Sequence, residues 1–189
     1  MLPEAALESA HLIGRLDRLV RSGVAVEGLN PAQWEALRYL ARANRFSRTP
    51  AALADYLGST RGTVSQTLIA LEQKGFVARS QSRQDRRSVD LALTRAGAGV
   101  LKRDPLIGLA GDIATATGGD AGPLLATLQA ILAAAIARND GRAFGICHTC
   151  RHFRKDVRPG AAAPHHCALL DEPLSEADSA DICVEQEAA

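Results

Sequence analysis

The sequence predicts a mainly helical fold with one small β-hairpin and a cysteine-rich tail. Three observations predict it. Apolar residues recur at helical spacing in several segments before residue 140, strand-like alternation is confined to two short runs between Phe76 and Leu93, and all four cysteines fall after residue 143. Composition sets the outer bounds. With 189 residues, 47% hydrophobic and 23% charged, the chain suits one globular domain plus an appendage and excludes a collagen-like or disordered protein. Its opening, MLPEAALESAHLIGRLDRLV, lacks a basic start and an unbroken apolar run, so neither a signal peptide nor a membrane span is expected and the protein is expected to be cytoplasmic, with no membrane partner.

Residues 1–30 are read as one amphipathic helix. Leu7, Leu12, Leu16, Leu19 and Val20 form its apolar stripe, and Arg15, Arg18 and Arg21 lie on other faces. His11 shares the stripe and is read as packed rather than functional. Residues 31–103 carry the pattern richest in information. Leu53 and Leu57 sit one helical turn apart, Gly58 ends that helix where a left-handed backbone is cheap, and Thr60 is a good N-cap for the next. In this second helix Val64, Leu68 and Leu71 face the core, which leaves Arg61, Gly62, Thr63, Ser65 and Gln66 facing out.

Gly75 closes that helix. Phe76–Arg79 then has strand character, and Ser88–Leu93 alternates Val89, Leu91 and Leu93 with polar or small residues, so a hairpin follows. Its loop, Ser80–Arg87, holds Arg83, Arg86 and Arg87 around Asp85. Two helices at a tight corner followed by such a hairpin make a winged helix-turn-helix. Polar side chains at the start of the second helix can reach base edges in a major groove, with Gln66 suited to adenine and Arg61 to guanine or phosphate. The arginine-rich loop suits phosphates or a narrow minor groove. Charge placement agrees: from Gly58 to Arg103 nine basic residues face three acidic ones, within a chain whose net charge is only +1.

The chain resembles the MarR-type (multiple antibiotic resistance regulator) winged-helix transcription factors. The residues that carry the resemblance are Gln33–Trp34 with Leu37 and Leu40, Leu53–Leu57, Thr60–Ser65, Leu71–Glu72 with Gly75, and Asp85–Arg86–Arg87 followed by Leu93–Thr94 and Gly97. The resemblance implies that the helix after Thr60 reads the major groove, that Arg86 or Arg87 is the wing-tip arginine, and that Asp85 braces it. It further implies a homodimer, with terminal helices interlaced between subunits, on a palindromic operator of double-stranded DNA, and repression as the direction of control. Ser59 and Gln66 depart from the pattern. So does Pro105, which should break the long helix usual after the wing.

Residues 104–142 supply two further helices, Leu106–Thr117 and Gly122–Arg138, the latter ended by Asn139–Asp140–Gly141. Residues 143–189 form a different kind of unit, with Cys147, Cys150, Cys167 and Cys183 and four of the five histidines, His148, His152, His165 and His166. It has few large apolar residues, so a metal held by the four cysteines is expected to staple it. Zinc is the expected metal and a [4Fe-4S] cluster the alternative. Phe144 and Phe153 are expected to cover the site, and His165–His166 to lie outside the ligand set. This unit is net acidic, with eight acidic and four basic residues, which suits protein support or sensing better than DNA contact.

Three function classes are therefore compared. The leading one is a dimeric transcriptional regulator whose operator affinity is set by metal, redox state or a small-molecule effector. A winged helix used for protein contacts is the second, and an enzyme using the cysteines is the weakest, because the sequence has no nucleophile–base pair or cofactor motif.

Overall fold

A computed structural model describes residues 2–22, 28–81 and 88–189. Helix α1 spans Glu4–Ser22, α2 Pro31–Arg42, α3 Pro50–Leu57 and α4 Arg61–Gln73; strands β1 (Val77–Gln81) and β2 (Val89–Leu93) follow, then α5 (Arg95–Val100), α6 (Leu106–Ala116) and α7 (Gly122–Arg138). The tail adds β3 (Phe153–Arg154), β4 (His165–Cys167), β5 (Glu172–Leu174) and α8 (Glu176–Ala180). The expected mainly helical winged helix with its hairpin forms, and the tail adds a three-stranded antiparallel sheet, β3–β4–β5, that the sequence did not predict.

Helix α2 starts where local chemistry says it should. Asn30 and Gln33 make a reciprocal capping box, and Pro31 occupies the first turn, where its missing N–H costs nothing. Trp34, Ala36, Leu37 and Leu40 are fully buried and meet Leu53 of α3 and Val64, Leu68 and Leu71 of α4 in one core. Gly58, at φ 57 and ψ 36, ends α3 in the left-handed region. Strands β1 and β2 pair antiparallel from Val77↔Leu93 to Gln81↔Val89, two residues farther toward the loop than the sequence suggested for β1. Close approach explains Gly97: a Cβ there would lie 2.1 Å from the Phe76 carbonyl oxygen.

The break expected at Pro105 is present, and an ion pair fixes it. Arg38 donates from Nε and Nη2 to the two oxygens of Asp104 at 2.7 and 2.6 Å, while Asp104 Oδ1 also accepts the Leu106 amide at 2.8 Å. Both side chains are nearly buried. Burial alone would raise the Asp104 pKa, but the Arg38 hydrogen bonds, the Leu106 N–H and the guanidinium charge outweigh it and hold the carboxyl below its ordinary value.

Helices α6 and α7 match their predicted extents to within a residue, whereas α1 is helical over Glu4–Ser22 of the expected 1–30. No residue of α1, α6 or α7 is buried, although Leu7, Leu12, Leu16, Leu125, Ile131 and Leu132 are large and apolar. The cysteine-rich tail, in contrast, is not a free appendage. Ile182 and Val184 are buried in the core of the winged helix, where each contributes about 1.5–3 kcal/mol by leaving water. Phe144 departs from its expected place as a lid over the cysteines: its ring packs edge-on against Tyr56 at 5.1 Å and Tyr39 at 6.2 Å, because a larger apolar surface is available there.

The ion pair sets a pH dependence. The folded state holds the Asp104 proton more weakly than the unfolded chain, so the stabilisation is complete above the ordinary carboxylate value of 3.8 and disappears as pH falls through the lower folded value. Asp104→Asn should cost roughly 1.5–3 kcal/mol in urea unfolding at pH 7, the range for hydrogen bonds to charged groups. The difference from wild type should shrink as the pH is lowered through the carboxylate range.

Candidate nucleic-acid interface and cysteine cluster

Helix α4 presents the face the sequence predicted. Thr60 caps it by accepting the Thr63 amide at 3.1 Å, and the two threonine hydroxyls bond one another at 2.9 Å. Thr60 is thus committed to building the helix start. Arg61, Gly62, Thr63 and Gln66 are exposed, Ser65 is half-buried, and Val64, Leu68 and Leu71 point inward. The exposed row therefore sits on a rigid helix whose opposite face is locked in the core. Of the loop residues, Arg83, Asp85, Arg86 and Arg87 lie outside the described residues.

Arg79 was not anticipated. From β1 it reaches back to α4, where Nε lies 3.3 Å from a Glu72 carboxylate oxygen and Nη2 donates to the Ser65 carbonyl at 3.4 Å. It braces the hairpin against the helix. Strand alternation hints at such a contact, since Arg79 faces the same side as Val77.

The four cysteines converge from three parts of the tail. Cys147 and Cys150 flank a single helical turn, Cys167 ends β4, and Cys183 lies in the extended segment after α8. Burial first, then the nearby Cys183, Cys167 and Cys150 sulfurs, together push the Cys147 thiol up to about 12, which places the other three sulfurs in its neighbourhood. Burial also raises Cys183, opposed by the polar groups of Asn44, Glu185 and Ser47 that lie near its sulfur. Sulfurs gathered in a partly buried pocket suit a cation, because the ion supplies the positive charge the pocket lacks.

The histidines are otherwise engaged. His165 is buried; its Nδ1 accepts the Asp156 amide at 3.1 Å, which leaves Nε2–H facing Glu176 at 3.1 Å. That nitrogen lacks a well-aligned hydrogen bond despite the short distance, so we regard the contact as electrostatic. The Asp156, His165 and Glu176 ligand atoms lie within 4.8 Å of one another, yet the amide on Nδ1 and the exposure of both carboxylates make this a supporting contact for β4 rather than a metal site. His148 Nε2 pairs with Ser179 Oγ at 3.2 Å, His152 with Glu187 and His166 with Asp171. Phe153 stays in the tail and packs against His148 and His165.

What the sequence did not disclose is the bond between this cluster and the winged helix. Ile182 pairs in parallel with Ala43: its amide donates to Arg42 O at 2.6 Å, and Asn44 N–H donates to Ile182 O at 2.9 Å. The Val184 amide donates to Ser47 Oγ at 2.8 Å, and Ser47 Oγ in turn donates to Asn44 Oδ1 at 2.8 Å. Arg45 binds Asp178, Glu172 and the Pro173 carbonyl. Only the polar run Asn44–Thr49, between two helices, could have signalled a docking surface.

Residues 27–88 match the family model described as the MarR family. The fold is shared with the S. aureus MepR–DNA complex, at 19% identity and a TM-score of 0.55 over 72% of this chain and 99% of that one. It is shared equally with S. pneumoniae FabT in complex with DNA, at 21% identity, a TM-score of 0.53 and coverage of 72% and 98%. The E. coli MarR C80S mutant matches at 24% identity, with a TM-score of 0.51 and coverage of 72% and 98%. No curated protein matches the chain.

The raised Cys147 value has a direct chemical consequence. In metal-free folded protein at pH 8, Cys147 should be alkylated by iodoacetamide at least about 100-fold more slowly than in urea-unfolded chain, because only the thiolate reacts. Peptide mass mapping of a time course measures the ratio. Metal affinity should rise with pH over the same range, since binding must displace those protons.

Proposed function

We propose that this protein, whose residues 27–88 are MarR-family sequence set in a MarR-type winged-helix fold, is a DNA-binding transcriptional regulator. The observation that carries the reading is the exposed row Arg61, Gly62, Thr63 and Gln66 on a helix fixed by its buried face, followed by a hairpin whose loop is rich in arginine. MepR and FabT, which share the fold, are each seen bound to DNA. In this reading α4 enters the major groove, Gln66 and Arg61 meet base edges, and Arg83, Arg86 and Arg87 contact phosphate or the minor groove, with Asp85 as their counter-charge. Repression is the proposed direction of control.

The bare apolar faces of α1, α6 and α7 support a homodimer on a palindromic operator. Unpartnered helices at both ends of one chain are covered most simply by the same helices of a second copy. The four-cysteine cluster holds a metal in this reading, and it makes the protein's affinity for DNA sensitive to metal state. No helix among the described residues is long and apolar enough to cross a membrane.

Binding should follow electrostatics and groove chemistry. Measured by fluorescence anisotropy against a duplex selected from a random pool, Arg87→Ala should weaken binding to all sequences and lower the log–log salt slope by about 1. Gln66→Ala should instead cost roughly 1–3 kcal/mol at particular base pairs only. Retention of wild-type affinity and preference by both variants would remove the groove assignment.

The dimer has its own test. Placing charge on the bare face with Leu132→Glu should shift sedimentation velocity from dimer to monomer while leaving the helical circular dichroism unchanged. A wild-type chain that sediments as a monomer at micromolar concentration contradicts the two-fold arrangement.

A further inference from the structure

The spacing of the four sulfurs distinguishes between metals. A zinc ion with four thiolates at about 2.3 Å brings the sulfurs about 3.8 Å apart. Among the described residues, Asp156, His165 and Glu176 form the one group of three ligand atoms within 4.8 Å of one another, so no three of the cysteine sulfurs approach that closely. A set of thiolates spaced more widely than that fits a cofactor with a body of its own. A [4Fe-4S] cluster places each thiolate on a different iron and keeps the sulfurs apart by the width of the cube.

The surroundings of Cys183 suit such a group. Asn44 is 1% exposed, and its amide nitrogen has no hydrogen-bond partner. Its carbonyl oxygen is already taken by Ser47, so the unpartnered NH2 is the end directed at the Cys183 sulfur. An orphaned buried donor aimed at a ligand atom marks a place where negative charge is meant to sit. With the Glu185 amide it forms a pair of donors around one sulfur, the arrangement that tunes iron–sulfur clusters.

Cys183 also belongs to the winged helix as much as to the tail. Its two neighbours, Ile182 and Val184, are buried in the winged-helix core and bonded to Arg42, Asn44 and Ser47. Two residues beyond Ser47, Thr49 caps α3 by accepting the Ala52 amide, and the Ser47 carbonyl receives the Thr49 amide at 2.9 Å and the Tyr39 hydroxyl at 2.7 Å. The geometry points to a [4Fe-4S] cluster on Cys147, Cys150, Cys167 and Cys183 whose occupancy orders the 43–49 connection, and through it the start of the helix-turn-helix. Loss of the cluster frees the Cys183 segment, and the connection that seats α3 loses its strand partner. The consequence for DNA rests on the regulatory reading above; the cluster and the ordering do not.

The full-length chain is purified anaerobically and offered ferrous iron with sulfide, or zinc chloride alone. Iron and sulfide should be taken up at about four of each per chain with broad visible absorption. Amide exchange at Asn44, Ser47, Ile182 and Val184 should slow at least about tenfold on cluster insertion, while Leu68 and Leu71 in α4 stay unchanged. Cys183→Ser alters the docking segment itself, so Cys150→Ser, on the other side of the cluster, is the cleaner variant: it should lose the cluster and show the fast exchange of metal-free wild type at 43–49. One tightly bound zinc with no iron uptake overturns the proposal. So does uptake of neither metal, or a cluster that leaves exchange at 43–49 unchanged. None of these measurements involves DNA, so failure to bind an operator and failure of the cluster proposal are told apart.

Discussion

Trp34, Leu37 and Leu40 are withdrawn fully from water, and the helix that carries them, α2, is the reference to which the other elements are fitted. One face receives α3 and α4, which sets the angle at which the exposed row of α4 is presented. Arg38, on the same helix, pins Asp104 and so fixes where the chain leaves the winged helix for α6. The C-terminal end of α2 receives Ile182 through a single parallel bridge to Ala43. A single buried helix therefore connects the exposed row of α4, the exit toward the terminal helices and the cysteine cluster. Interiors packed at crystal-like density transmit small displacements rather than absorbing them, which makes such sharing consequential.

The fold of residues 31–103 was legible because its determinants are local. Caps at Asn30, Thr49, Thr60 and Thr94, the left-handed turn at Gly58 and the period of Val64, Leu68 and Leu71 each lie within a few residues of what they determine. The exposed row on α4 follows from the same period. What could not be read was long-range. Nothing in the neighbourhood of Cys183 says that Ile182 will pair with the distant Ala43, or that Phe144 will leave the cysteines for Tyr39 and Tyr56. Those contacts depend on which buried surface is free once the winged helix has formed.

The tail combines a poor core with rich polar chemistry. Its sheet, β3–β4–β5, is three short strands, and its buried side chains include His165 and Ser179 as well as Leu174. Acidic residues dominate it, and several are matched by basic ones on the winged helix or beside it: Arg45 with Asp178 and Glu172, Arg48 with Asp181, Arg142 with Glu185. Exposed pairs of this kind contribute little each. Their shared sign does more, since an acidic unit seated against arginines has one preferred docking face and is repelled from nucleic acid elsewhere.

The Arg38–Asp104 pin stands at the root of a lever. Beyond it run α6 and the 17-residue α7, whose length at 1.5 Å per residue is about 25 Å. In a two-fold pair held by these helices, the direction in which α6 departs fixes the distance between the two recognition helices. A tilt of only a few degrees at Pro105 displaces the far end of such an arm by ångströms, and successive major grooves on one side of a duplex lie about 34 Å apart with little tolerance. In the proposed homodimer on a palindromic operator, one carboxylate at a proline break would thereby set the half-site spacing.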